Sequence, residues 1–190
     1  MNILIYLLIC IKMHIYYNYD INESSISSNN FNIINYDNIK LIDCSRNDLI
    51  DLPILPNSLN VLICSYNNLI NLPILPICLE HLACSANYLI NLPILPNSLN
   101  YLYCPNNELI ILPILPNSLI KLNCIKNKLI NLPILPICLD ILYCIHNKLI
   151  NLPKINNNIN NLVYDETTIK YINEYNLTRI LIKIYYYIEF

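Results

Sequence analysis

The chain contains no glycine and no tryptophan. Phosphate-binding P-loops and GxGxxG dinucleotide fingerprints both require backbone positions that only glycine fills well, so neither kind of nucleotide site is present. Charge is also scarce: 13% of the 190 residues are charged and the formal net charge is −2, which leaves no basic footprint for nucleic acid. Hydrophobic residues make up 55%, too many for a chain disordered over most of its length. Asparagine, isoleucine and tyrosine are over-used, as an AT-rich coding sequence would produce. Asparagine tolerates the left-handed backbone region better than most residues, so it is expected to take glycine's place at turns.

What the chain does have is a repeat. Residues 51–150 fall into five rows of twenty: DLPILPNSLNVLICSYNNLI, NLPILPICLEHLACSANYLI, NLPILPNSLNYLYCPNNELI, ILPILPNSLIKLNCIKNKLI and NLPILPICLDILYCIHNKLI. Leu, Pro, Ile, Leu, Pro, Leu, Leu, Cys, Asn, Leu and Ile hold fixed columns. A weaker copy precedes them at 39–49 and a decaying one follows at 151–169. A fixed period in this range marks a solenoid or array whose units bury their apolar faces only against each other.

Each row carries a segment such as LNVLICSYNNL, of the form LxxLxCxxNxL. It resembles the leucine-rich repeat consensus, here at its shortest period. The fuller pattern LPxLPxxLxxLxCxxNxL is similar to the short repeats of secreted bacterial effectors and to leucine-rich repeat proteins of giant DNA viruses of amoebae. The resemblance covers residues 39–169. It implies an α/β-type, mostly β architecture: a right-handed leucine-rich repeat solenoid, with short parallel strands on the concave face and extended or polyproline-like convex limbs.

The residues support that architecture on their own. Alternation at Leu62 and Cys64, or Leu82 and Cys84, places these side chains on one face of a short strand. Pro53 and Pro56, repeated in every row, exclude a helix interior on the return limb. The column Asn47, Asn67, Asn87, Asn107, Asn127 and Asn147 is expected to hydrogen-bond loop backbone along the stack, a structural role. The chain divides into an N-terminal apolar segment and polar linker (1–32), the solenoid (33–169) and a C-terminal capping segment (170–190). The run ILIYLLICI is too short to span a bilayer and lacks a basic flank and a small-residue cleavage site. It is therefore read as a capping strand or tail in preference to a signal or anchor.

Nine cysteines invite a chemical reading. Six form the column Cys44, Cys64, Cys84, Cys104, Cys124 and Cys144, where a leucine-rich repeat puts an inward residue, and cysteine packs there as a small hydrophobe. A straight line of thiols cannot supply a tetrahedral metal site. Reduced thiols in a core favour a cytoplasmic location, of a host cell if the protein is viral. Cys78 and Cys138 replace a column serine near the start of their strands. The cluster CLEHLAC (78–84) looks like a cysteine–histidine site, but the same columns read CLDILYC in the fifth row, with Ile141 in place of His81. His81 and Cys84 also face opposite sides of the strand. No metal or cofactor is expected, and no catalytic residue.

The variable columns are the functional candidates. Tyr66, His81, Tyr101, Tyr103, Lys121, Lys126, Tyr143 and His146 lie at outward positions, which by the resemblance line the concave, partner-binding face. Aromatic residues mixed with a few charges match the composition of an interface core. The expected function is a non-enzymatic protein–protein interaction module, with no membrane and no nucleic acid partner. The alternatives are a substrate-recruiting adaptor or effector acting with a host ubiquitin ligase, and a self-associating structural component. Related effectors carry a separate ligase domain after their repeats, for which residues 170–190 are too few.

Overall fold

In the computed structural model, residues 14–17, 39–155, 158–164 and 181–182 are described. Residues 1–13, which include the apolar run ILIYLLICI, the NESSISSNN stretch and most of the C-terminal segment lie outside them. Every regular element among the described residues is a strand. These are β1 (His14–Tyr17), β2 (Ile39–Asp43), β3 (Val61–Ile63), β4 (His81–Ala83), β5 (Tyr101–Tyr103), β6 (Lys121–Asn123), β7 (Ile141–Tyr143), β8 (Asn161–Val163) and β9 (Leu181–Ile182). They form one sheet in sequence order, parallel from β2 to β9, with β1 antiparallel on the outer edge of β2. Register advances by twenty residues at each step through the full rows, so Leu62 sits beside Leu82 and Leu82 beside Leu102. Sequence columns thus become physical rows across the sheet.

The core follows from that register. Leu62, Leu82, Leu102, Leu122 and Leu142 are fully buried, as are Leu59 with its equivalents; so are Leu69, Leu89, Leu109 and Leu129, and all six column cysteines. Leu52 and Leu55, with most of their equivalents, close the core from the return limb. The limb itself is neither helix nor strand. It ends in a tight turn in which the Leu59 N–H donates to the Pro56 carbonyl at 3.1 Å, repeated at Leu79, Leu99, Leu119 and Leu139. In that turn the Ser58, Ser98 and Ser118 hydroxyls donate to carbonyls of the preceding row. Cys78 and Cys138 replace them with exposed thiols.

Two columns hold the rows together after the strand. The Asn67 side chain accepts the Leu49 N–H and donates to the Cys44 and Cys64 carbonyls, each at 3.0 Å. Asn87, Asn107, Asn127 and Asn147 repeat the pattern against their own neighbours. Polar groups that leave the strand ladder are thereby satisfied inside the stack. The second column corrects the expectation about asparagine and turns. Among the described residues, backbone in the left-handed region occurs at Arg46, Tyr66, Ala86, Asn106, Lys126 and His146 of this column and at Asp48 beside it, and asparagine is only one of these seven. The conformation is held from outside. The Tyr66 N–H donates to the Ser85 carbonyl, Ala86 to Pro105 and Lys126 to Ile145. Those bonds between rows offset the roughly 1–2 kcal/mol that a residue with a Cβ loses in this region.

Candidate protein-binding face

Side chains along each short strand alternate in direction, so once Leu82 and Cys84 point into the core, residues 81 and 83 must point out. Parallel register then aligns His81, Tyr101 and Lys121 on one row, and Ala83, Tyr103, Asn123 and Tyr143 on the next. With strands about 4.8 Å apart, rings on neighbouring strands meet.

They do so as one cluster. The His81 imidazole lies 5.7 Å from the Tyr101 ring centre, edge-on at 61°, and 5.3 Å from that of Tyr103. The Lys121 ammonium sits 5.0 Å from the centre of Tyr103 and 5.6 Å from that of Tyr143, spanning the gap above Asn123. Each such contact contributes about 0.5–1 kcal/mol at a partly exposed surface. Their combined effect is to order five long side chains on this face. Burial among these rings lowers the His81 pKa from its ordinary 6.5, favouring the neutral imidazole. Val61, on the same outward row, is buried, so the face opens toward the C-terminal rows.

The other three candidates stand elsewhere. Tyr66, Lys126 and His146 occupy the left-handed column after the strand and are exposed on the turn ledge beside the sheet. Arg46 belongs with them: its guanidinium lies 4.7 Å over the Tyr66 ring. Sequence reading passed over Arg46, although it occupies the column of Tyr66 one row earlier. Lys128 is paired with Glu108 across neighbouring rows, an exposed pair worth little.

Among the described residues no cysteine faces this surface. Burial pushes the Cys44 and Cys124 thiols up to about 12, and those of Cys64, Cys84 and Cys104 well above their ordinary range. The Cys104 and Cys124 thiols donate to carbonyls of the next strand, which also suits the protonated form. The CLEHLAC cluster separates as its columns require, with Cys84 buried, Cys78 exposed at the turn and His81 on the outer face. Among the described residues no three His, Cys, Asp or Glu side chains are grouped to hold a metal ion, and no helix is long and apolar enough to cross a membrane.

No protein-family model matches the chain, and no curated protein matches it. Solved structures do. YopM from Yersinia enterocolitica WA-314 superposes with a TM-score of 0.64 at 36% identity, over 68% of this chain and 33% of that one. YopM from Yersinia pestis, a leucine-rich effector protein, gives 0.59 at 31% identity over 65% and 42%. The leucine-rich repeat domain of a Shigella effector gives 0.62 at 39% identity over 66% and 56%. The chain thus spans between a third and just over half of the length of these neighbours. The likeness extends from the path of the backbone to the residues that build it, and the chain is a leucine-rich repeat protein whose solenoid is similar to those of these bacterial effectors.

Proposed function

We propose that the chain is a non-enzymatic module that binds a protein partner through the concave sheet face, with His81, Tyr101, Tyr103, Lys121 and Tyr143 as its centre. The observation that carries this reading is the ring–cation cluster across four consecutive strands. Ordering long side chains on association ordinarily costs about 0.5–1.5 kcal/mol each, and here much of that ordering precedes binding. Tyrosine is also among the residues that dominate interface energetics. The effector-like fold supports a scaffold for protein contacts, and the buried free thiols suit a reducing compartment.

The test uses the full chain as bait, beside a variant with Tyr101, Tyr103 and Tyr143 all replaced by alanine. A partner captured by the wild type is purified and its affinity for both measured by calorimetry. Loss of about 100-fold or more in the variant is expected if these rings are anchors. Equal affinity removes this face as the binding site.

A further inference from the structure

The return limbs differ from the rest of the surface. Over the six limbs from 50–57 to 150–157, the sequence has two charged residues: Asp51 in the first and Lys154 in the last. Between them runs a ridge of isoleucine. Ile74, Ile94, Ile114 and Ile134 are 90%, 89%, 88% and 89% exposed. Their neighbours Leu75, Leu95, Leu115 and Leu135 are buried, which forces the isoleucines outward. A second column, from Ile70 to Ile130, is about half exposed beside them. At roughly 100 Å² of apolar surface for each nearly bare side chain and about half that for each half-exposed one, the two columns offer on the order of 600 Å². That lies at the top of the roughly 300–600 Å² range of patches monomers leave open and is most of one side of a standard interface of about 800 Å².

We propose that this convex isoleucine ridge pairs with the same ridge of a second copy, antiparallel, about a two-fold axis between Ile94 and Ile114. An apolar ridge with one isoleucine per strand spacing needs a surface of the same period, and a second copy supplies one. The register is set by what flanks the ridge. An axis between the third and fourth rows sets Ile77 against the partner's Ile137, both exposed in this chain, and Asn97 against the partner's Asn117. The same axis sets the first limb, which carries Asp51, against the partner's last limb, which carries Lys154, and it does so twice. Parallel pairing would instead set each of these limbs against its own copy, like charge beside like charge. An anionic membrane is disfavoured as the occupant, because such surfaces are bound by ridges flanked with several Lys or Arg, and only Lys154 lies here. The concave face stays open in this dimer.

Sedimentation equilibrium on the full chain tests the proposal, and dimers are the expected result at micromolar concentration. The variant Ile94→Lys/Ile114→Lys places lysines against one another at the axis and is expected to weaken association about 100-fold or more, with an unchanged circular dichroism spectrum. Asp51→Lys and Lys154→Asp should each weaken it about 5- to 10-fold, and the double exchange should restore it. A wild type that stays monomeric when concentrated overturns the proposal, as does a dimer indifferent to the two lysines. A double exchange weaker than either single one overturns the antiparallel register.

Discussion

The side-chain amide of Asn107 reaches back across twenty-three residues and donates to the carbonyl of Cys84 at 3.0 Å. The same side chain donates to its own row's Cys104 carbonyl at 3.2 Å and accepts the Leu89 N–H at 3.1 Å. One residue therefore ties three backbone groups of two rows inside a space closed to water. Asn107→Ala leaves the Leu89 donor buried without replacement, at about 1–3 kcal/mol, while the Cys84 carbonyl loses one of two amide donors and keeps that of Asn87 at 3.2 Å. A loss of about 2 kcal/mol or more is expected in urea unfolding. Asn147, nearer the end of the stack and only partly buried, should lose less on the same substitution. Equal losses at both positions would mean that burial does not set the strength of the ladder.

Ala86 has a positive φ of 53°, where its Cβ crowds the following carbonyl. Replacing alanine by glycine ordinarily destabilises a protein by about 0.5–1 kcal/mol. Here the relief of strain is the larger effect, so Ala86→Gly is expected to raise stability by up to about 1 kcal/mol. Its sign, read from the urea midpoint, decides the matter. Destabilisation would show that the bonds between rows leave no strain to relieve.

Legibility from sequence divided along the same line. The leucine, cysteine and asparagine columns could be read because each position demands one side chain: a shape for the core, or an amide with both donor and acceptor. The left-handed column could not, because Arg46, Tyr66, Ala86, Lys126 and His146 share nothing but a backbone conformation imposed by neighbouring rows. Constancy also misleads on direction. Ile94 and Leu95 are equally invariant across the five full rows, yet one is almost wholly exposed and the other buried. Of the eight outward candidates, five meet in one cluster because register brings their strands together. Tyr66, Lys126 and His146 lie past the point where the chain turns away.

The thiols should divide by position. Cys78 and Cys138 are exposed, whereas the six column cysteines are buried and, at Cys44 and Cys124, pushed up to about 12 by loss of solvent. Alkylation requires the thiolate and access to it. In native protein at neutral pH, peptide mapping is expected to show Cys78 and Cys138 modified roughly 100-fold faster than the column. The column should become reactive only on unfolding. Rapid native labelling of Cys84 or Cys104 would contradict a closed core.

His81 gives the concave face a pH dependence whose direction is fixed by its surroundings. Burial beside Tyr101 and Tyr103 lowers its pKa in the folded chain below the 6.5 of the unfolded one. Between those two values the unfolded chain binds more protons, so stability rises with pH across that window. The contribution is complete above 6.5 and is lost as pH falls toward the folded value. Two measurements check this together. The His81 ring resonance should titrate below the free imidazole. Urea midpoints followed from about pH 5 to about pH 8 should fall on the acid side in the wild type and flatten in His81→Phe, which keeps a ring against both tyrosines and removes the proton. An unchanged acid slope in His81→Phe would assign the slope to another group, and leave His81 as a contact residue with no electrostatic role.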